Sequence, residues 1–355
     1  MSEPAHVRAG LLRESFPGER RVALTPDDIR RLSSRFTFLF EPGCGESAGY
    51  SDPDYMKAGA HAAAPADVVQ CDLVVSVRRP ERSVPNHTAT VFLGSSARAA
   101  NTSLGPSLEL ELARLEGFAD AAAMDAATTQ ATVLGHAAVL EGVRLMKIGH
   151  SMLTLEGSFV RPIRMAAIGV NTASLQAIAT ARKLGALTHV FGLSEIDRAK
   201  VERLGAKFSA IDTAILAAGL KPEQARRQLG RQLASMQMIV TNLHESGSAA
   251  PVLIDEETLS SLPPGSVIID LAAANGGNCA FTRIDQTVTA HAVSIVGSTL
   301  LASNEAAEAS RLFSDCVRRL LEHLVEPGEH LWLQRKDAVL DRLMGRSDGE
   351  KPRAS

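Results

Sequence analysis

Short apolar runs alternate with stretches of helical period through the first third of the chain. HVRAGLLRE, FTFLFEPG, CDLVVSVRRP and TATVFLGSS read as strands, a helix opens at the Pro-Asp pair of TPDDIRRLSSRF, and an Ala-rich helix follows the second strand. Strands separated by helices need crossover connections, so the pattern predicts βαβ units around a mostly parallel sheet. From about Ala126 to Leu153 the pattern turns continuously helical, with Val133, Leu134, Ala138, Leu140, Val143, Leu145 and Met146 as apolar positions. A segment of that length can bridge two domains.

A second α/β pattern opens at IRMAAIGVNTASLQAIATARKLGALTHVFG, which runs apolar strand, small-residue turn, Ala-rich helix, Leu-Gly-Ala stop and apolar strand. That is the outline of the first unit of a dinucleotide-binding fold. SMQMIVTN and GSVIIDLAAA supply two further strands, AVSIVGS an edge or terminal one, and Asn304 to Leu324 an amphipathic helix. The tail from Arg346 is rich in charge, Gly, Ser and Pro and reads as frayed.

The bulk numbers narrow the class. A chain of 355 residues suits two domains, and 45% hydrophobic with 22% charged residues is enough apolar material for two cores. A net charge of -3 gives no global attraction to nucleic acid or to an anionic membrane. Cys44, Cys71, Cys279 and Cys316 lie far apart in no metal-ligand spacing, which speaks against a disulfide framework and a zinc site and fits a reducing cytoplasm. No run approaches the roughly 18 apolar residues of a membrane span, and the N-terminus lacks a signal peptide's apolar core.

Three separated segments carry a family likeness: ERRVALTP, EPGCGESAGYSDPDYMKAGA and PPGSVIIDLAAANGGNC. Their order and spacing resemble the alanine dehydrogenase and NAD(P) transhydrogenase alpha-subunit family from about Arg13 to Leu324, and NGGNC is nearer the transhydrogenase branch. The resemblance implies two Rossmann-like domains, the first completed by a C-terminal helix. The expected division is 1–130, a substrate-type domain; 131–297, a dinucleotide-binding-type domain; 298–345, a helix returning to the first; and 346–355, a tail. It also implies a cleft between domains for nicotinamide and substrate, and a homo-oligomer.

The resemblance can be followed position by position. The Gly-x-Gly-x-x-Gly turn reads Gly169, Val170, Asn171, Thr172, Ala173, Ser174, so only the first glycine remains where backbone must approach a pyrophosphate and where helix must pack on strand. Asn171 tolerates positive φ and Ser174 is small, so phosphate at this helix start is not barred by geometry alone. The acid that meets the adenosine ribose is replaced by Gly192, with Glu195 and Asp197 beyond it as first-turn helix acids, and no Arg follows to meet a 2′-phosphate. NAD(H) or NADP(H) is therefore expected to bind weakly or in an altered way, and no metal is expected.

On the substrate side, Arg21 matches the family arginine that grips a carboxylate, a task suited to a bidentate guanidinium, and Arg78 stands where alanine dehydrogenases carry a lysine. Ser76 replaces a preceding lysine, Gly94 the catalytic histidine, and Ala274 the aspartate before the double glycine; His87 reads as a surface loop residue. MDAATTQATVLG is shorter than the transhydrogenase loop and lacks its Arg-Gln-Asp trio. Alanine dehydrogenase activity thus loses its proton donor and acceptor. Asp270, Gly276, Gly277 and Asn278 form either a cofactor-facing loop or a set of tight turns. His244 and Glu245 lie at a strand exit, where open α/β sheets place ligands, and read either as an acid/base pair or as solvated loop residues. Tyr50 and Ser51 read as structural, with Pro53 starting a helix. Three functions remain open: an NAD(P)-linked oxidoreductase with a weakened nucleotide site, a non-redox enzyme acting on a small carboxylate, and a non-catalytic regulatory or binding protein. The implied small-molecule partner is anionic.

Overall fold

A computed structural model describes residues 7–94, 108–146, 161–216, 222–244, 248–325 and 337–345. In chain order the regular elements begin β1 (Val7–Leu11), α1 (Pro26–Leu32), β2 (Phe36–Phe40), α2 (Asp52–Lys57), β3 (His61–Ala62), α3 (Pro65–Val68), β4 (Leu73–Val75), β5 (Ala89–Phe92) and β6 (Leu108–Glu111). They continue with α4 (Ala126–Leu145), β7 (Arg164–Ile168), α5 (Thr172–Lys183), β8 (Leu187–Gly192), α6 (Arg198–Arg203), β9 (Lys207–Ala210), α7 (Pro222–Leu233) and β10 (Met238–Thr241). The last are α8 (Glu256–Ser260), β11 (Val267–Asp270), β12 (Thr287–Ala290), β13 (Val293–Val296), α9 (Leu301–Asn304), α10 (Ala306–Leu324) and α11 (Ala338–Leu343).

The chain forms two compact units, residues 1–130 with 303–355, and residues 131–302. The first is built on a six-stranded sheet in the order β3-β2-β1-β4-β5-β6, parallel throughout. The strand order runs outward in both directions from the β1–β4 pair, which makes that pair a topological switch point. Alternate residues point to opposite faces, so Ala9, Leu11, Leu73 and Val75 enter the main core while Leu12 and Val74 enter a smaller one with Val68, Val69 and Val84. The main core is closed by α10, which contributes Phe313, Val317, Leu320, Leu321 and Leu324. Ser310 and Ser314, one turn apart on that helix, accept hydrogen bonds from the Val22 and Thr25 amides at 2.9 Å each. The RVALTP segment is thereby stitched to the C-terminal helix.

The second unit has a seven-stranded sheet in the order β12-β13-β11-β10-β7-β8-β9, parallel except for β12 against β13. Its switch point is the β7–β10 pair. Met165, Ala167, Met238, Val240, Val267 and Ile269 face one core, and Ala166, Ile168, Ile239, Ile268 and Ile295 face the other, as a sheet covered on both sides requires.

Two expectations need adjustment. AVSIVGS is not an edge: β13 has β11 on one side and the short antiparallel β12 on the other, and β12 with its exposed Thr287 and Thr289 forms the border. The helix expected to reach Leu153 is described to Leu145, and 147–160 fall outside the described residues. The tail from Arg346 also lies outside them. No helix among the described residues is long and apolar enough to cross a membrane.

Candidate functional site

The dinucleotide-type turn leaves β7 through Gly169, whose φ of +99° brings the chain close to the next strand's exit. A Cβ built there falls 2.5 Å from the Asn242 carbonyl oxygen, so glycine is required. Asn171 follows in extended conformation, with φ -141°, and caps α5: its Oδ1 accepts from the Ser174 amide at 3.0 Å. The same side chain spans the switch point. Its Nδ2 donates to the Asn242 carbonyl at 2.8 Å, and Asn242 Nδ2 donates back to Asn171 Oδ1 at 3.0 Å. The positive φ that Asn171 tolerates is not used. The residue that replaces the second glycine instead holds a reciprocal amide clasp across the place where a pyrophosphate would approach.

Ser174, at the third glycine position, is buried, and its hydroxyl has no hydrogen-bond partner among the described residues. Close approach at this helix start comes from Gly135 of α4, where a side chain would run into the Ala173 carbonyl. Gly192, at the ribose position, is more than a missing acid. A Cβ there falls 2.7 Å from Phe208 Cε2 and 2.9 Å from Val170 Cγ2, so the space an aspartate would occupy is filled. Glu195 pairs with Arg198 at 2.7 Å and Asp197 with Lys200 at 3.2 Å, as helix-start acids.

The loop after β11 is organised by Asp270. Its fully buried carboxylate accepts from the amides of Ala272 (3.1 Å), Asn278 (2.7 Å) and Cys279 (3.1 Å) and from the Thr282 hydroxyl (2.6 Å). Gly276 and Gly277 take φ of +101° and +84°, and a Cβ on Gly277 would fall 2.8 Å from Asp270 Oδ2. Asn278 reaches to the β10 exit: Oδ1 accepts from the Leu243 amide at 2.9 Å, while Nδ2 donates to the carbonyls of Leu243 at 2.7 Å and Pro251 at 2.9 Å. Asp270 thus directs its side-chain hydrogen bonds into the loop itself, and Asn278 ties that loop to the β10 exit. His244 is half-buried just beyond, and Glu245 lies outside the described residues.

The first unit assembles a charged cluster that sequence reasoning only partly foresaw. Arg21 is buried, and its Nε and Nη2 grip both oxygens of Glu19 at 2.8 and 2.7 Å while Nη1 donates to Gln130 Oε1 at 2.9 Å. The fork suited to a substrate carboxylate already holds one from its own chain. Arg78 shares that carboxylate, its Nε donating to Glu19 Oε2 at 2.9 Å, and the Ser303 hydroxyl donates to Oε1 at 2.6 Å. Burial raises the Glu19 pKa, but hydrogen bonds and charge from Arg21, with help from Ser303 and Arg78, outweigh it and hold the group at about 2.

Arg78 differs from Arg21 in being accessible. Its side chain is 31% exposed and lies over the Phe16 ring at 4.1 Å, and its two terminal nitrogens have no hydrogen-bond partner among the described residues. Beside it, half-buried Glu14 crosses the first switch point from the β1 exit to the β4 exit, accepting from the amides of Val77 at 2.6 Å and Arg78 at 3.2 Å. Burial pushes the Glu14 carboxyl up to about 7, with the negative charge of Glu19 adding to the rise and the two amides and Arg21 opposing it.

Other positions singled out from the sequence can be placed as well. Ser76 donates to the Arg78 carbonyl at 2.6 Å and shapes the turn that carries that arginine. Gly94 has φ of +89°, and a side chain there would run into Glu111. His87 and Ala274 are exposed. Ser51 forms a capping box with Asp54, with Pro53 in the first turn of α2. All four cysteines are buried, and burial pushes Cys44 up to about 12 and Cys279 up to about 11. Among the described residues no group of three or more His, Cys, Asp or Glu could hold a metal ion.

NAD(P) is the cofactor that the fold suggests, and the residues present do not fit a dinucleotide seated in the usual Gly-x-Gly-x-x-Gly manner. The switch point is spanned by side chains, and the ribose position is filled. Asn242, Val170, Phe208, Gln130 and Ser303 were not singled out from sequence. Only Glu19, two residues before Arg21, left a local signal.

The description Alanine dehydrogenase/PNT, N-terminal domain, matches residues 10–134, and its C-terminal counterpart matches residues 137–351. The chain is 34% identical to the NAD(P) transhydrogenase subunit alpha of Cereibacter sphaeroides over 95% of its own length and 68% of that relative. It is 26% identical to the alanine dehydrogenase of Mycobacterium tuberculosis over 76% and 74% of the two chains, so it lies nearer the transhydrogenase branch. Among solved structures, a transhydrogenase from Sinorhizobium meliloti superposes with a TM-score of 0.79 at 27% identity, covering 91% of this chain and 98% of that one.

Proposed function

Because the chain belongs to the alanine dehydrogenase/PNT family, we propose that it is a divergent NAD(P)-linked oxidoreductase-type protein in which nucleotide binding is weakened or altered. The observation that carries this reading is the Asn171–Asn242 clasp, which must open before a pyrophosphate can reach the start of α5. Alanine dehydrogenase chemistry itself is disfavoured by Ser76, Gly94 and Ala274, none of which exchanges a proton near neutrality. Calorimetric titration with NADH and NADPH tests the proposal. Half-saturation in the millimolar range, or no heat at all, is the expected result; micromolar binding of either nucleotide would overturn it.

A second reading is supported by the terminal nitrogens of Arg78, which have no hydrogen-bond partner among the described residues: a small carboxylate binds in the first unit and no hydride is transferred. Thermal stabilisation by small acids but not by nucleotides, abolished in Arg78→Ala, is its expected signature. An unchanged response in that variant removes it. Self-association is a further expectation, checked by sedimentation of the purified chain.

A further inference from the structure

The two switch points of this molecule are each bridged by a side chain, but only the bridge in the first unit can gain or lose a proton. Glu14 leaves the β1 exit and seats its carboxyl on the Val77 and Arg78 amides, so it lies against the backbone of the residue whose partly exposed guanidinium has no partner at its terminal nitrogens among the described residues. The charges that act on Glu14 are Glu19 and Arg21 from its own connection, while Arg78, from the connection after β4, meets Glu14 through its backbone amide and Glu19 through its guanidinium. Neighbouring charges are engaged elsewhere: Arg82 with Glu41, Arg79 with Glu109, and Glu81 with the Ser15 hydroxyl. In the central cluster Arg21 and Arg78 supply two positive charges and Glu19 one negative charge. It therefore carries one net positive charge when Glu14 is protonated and none when Glu14 is ionised.

We propose that Glu14 couples anion binding at Arg78 to proton uptake, so that a small carboxylate seats on the Arg78 guanidinium when Glu14 is protonated and is repelled when it is ionised. This rests on the second reading above, that Arg78 receives a small carboxylate. Linkage makes the effect reciprocal. A carboxylate bound beside Glu14 disfavours that residue's ionised form, so at pH values where the free protein has lost the proton, binding draws it back from solvent. Glu14 titrates at about 7, which places the exchange around neutrality. Because binding requires the protonated fraction, the apparent affinity falls in proportion as that fraction declines with rising pH.

Oxalate is a suitable probe because its own carboxyls stay ionised throughout the neutral range. The full-length chain is titrated calorimetrically with oxalate at several pH values between 6 and 9, each in two buffers of different ionisation enthalpy. The expected result is an affinity that falls about a hundredfold across the range, with buffer-dependent heat reporting uptake of up to one proton above neutrality. Glu14→Gln is expected to bind oxalate with the same affinity at every pH and with no buffer-dependent heat. Binding through Arg78 that is pH-independent in the unaltered chain, or a slope that survives in Glu14→Gln, overturns the coupling while leaving the Arg78 site standing. Absence of oxalate binding, with Arg78→Ala indistinguishable from the unaltered chain, overturns the site and the coupling together. The proton count is made on the unaltered chain, so the test does not depend on the variant folding.

Discussion

At the second switch point two asparagines tie the exits of β7 and β10 through reciprocal amide hydrogen bonds, whereas at the first a glutamate ties the exits of β1 and β4 through backbone amides. An amide clasp keeps the same charge at every pH. A carboxyl does not, and this one is seated on the backbone amide of Arg78, whose guanidinium shares Glu19. The two switch points therefore differ in kind: the one in the second unit is spanned by neutral amide side chains, and the one in the first by a titratable carboxyl. Relaxation of an unused site would leave small residues and open space. The filled position at Gly192 and the two-way clasp fit the proposed reading of a weakened or altered site.

The largest expected effect comes from removing the anchor beneath the inert side of the comparison. Asp270→Ala takes the buried acceptor away from three amides and a hydroxyl, a loss of about 3 to 5 kcal/mol. The thermal midpoint is expected to fall by roughly 10 °C. A drop within a degree or two would mean the loop is held by other contacts.

Glu19→Gln tests the charged side. The substitution leaves Arg21 and Arg78 around a neutral amide, and breaking a buried pair of this kind costs about 3 kcal/mol. The pH signature is more specific. Glu19 sits at about 2, below its ordinary 4.5, so the stability it contributes is present above pH 4.5 and is lost as pH falls towards 2. Denaturation midpoints measured across that acid window should be steeper in the unaltered chain than in Glu19→Gln; parallel curves would show that Glu19 does not carry the acid sensitivity.

Asn171→Gly opens the clasp and removes a helix cap, with an expected cost of about 1 kcal/mol, since glycine is itself a tolerable cap and the lost hydrogen bonds are partly exposed. NADH should bind more tightly in this variant than in the unaltered chain. Gly192→Asp alone should not strengthen binding, because Phe208 and Val170 occupy the carboxylate's place. Equal NADH affinity in Asn171→Gly and the unaltered chain would show that the clasp is not what limits access.

The sequence made the central strands readable because each is an apolar run bounded by turns, as in FTFLF and RMAAI. It hid the sheet borders. HA of β3, KFSA of β9 and TVTA of β12 are short, contain exposed positions, and carry no apolar run to betray them. The same division holds for the site. The missing glycines and ribose acid can be counted along one segment, but the filling of the Gly192 position depends on Phe208 of a different strand. Arg21 was chosen from its motif as the carboxylate grip, yet its engagement with Glu19 depends on rotamers and on Gln130, far along the chain. Glu14 gave no signal, because a glutamate near neutrality differs from any other only in what surrounds it.

That surrounding yields the prediction that separates the two switch points most cleanly. Glu14 titrates at about 7 in the folded chain against an ordinary 4.5, so folding favours its protonated form. The associated stability is fully present below pH 4.5, declines as pH rises towards 7, and is constant above that. Its direction is opposite to that of Glu19, whose contribution is lost on acidification, so the two carboxylates can be told apart in one series of unfolding midpoints. Glu14→Gln should remove the decline between pH 4.5 and 7 and leave the acid limb untouched, and Asn171→Gly should change neither slope. A decline that persists in Glu14→Gln would assign the neutral-range titration to another group and leave both switch points without a proton of their own.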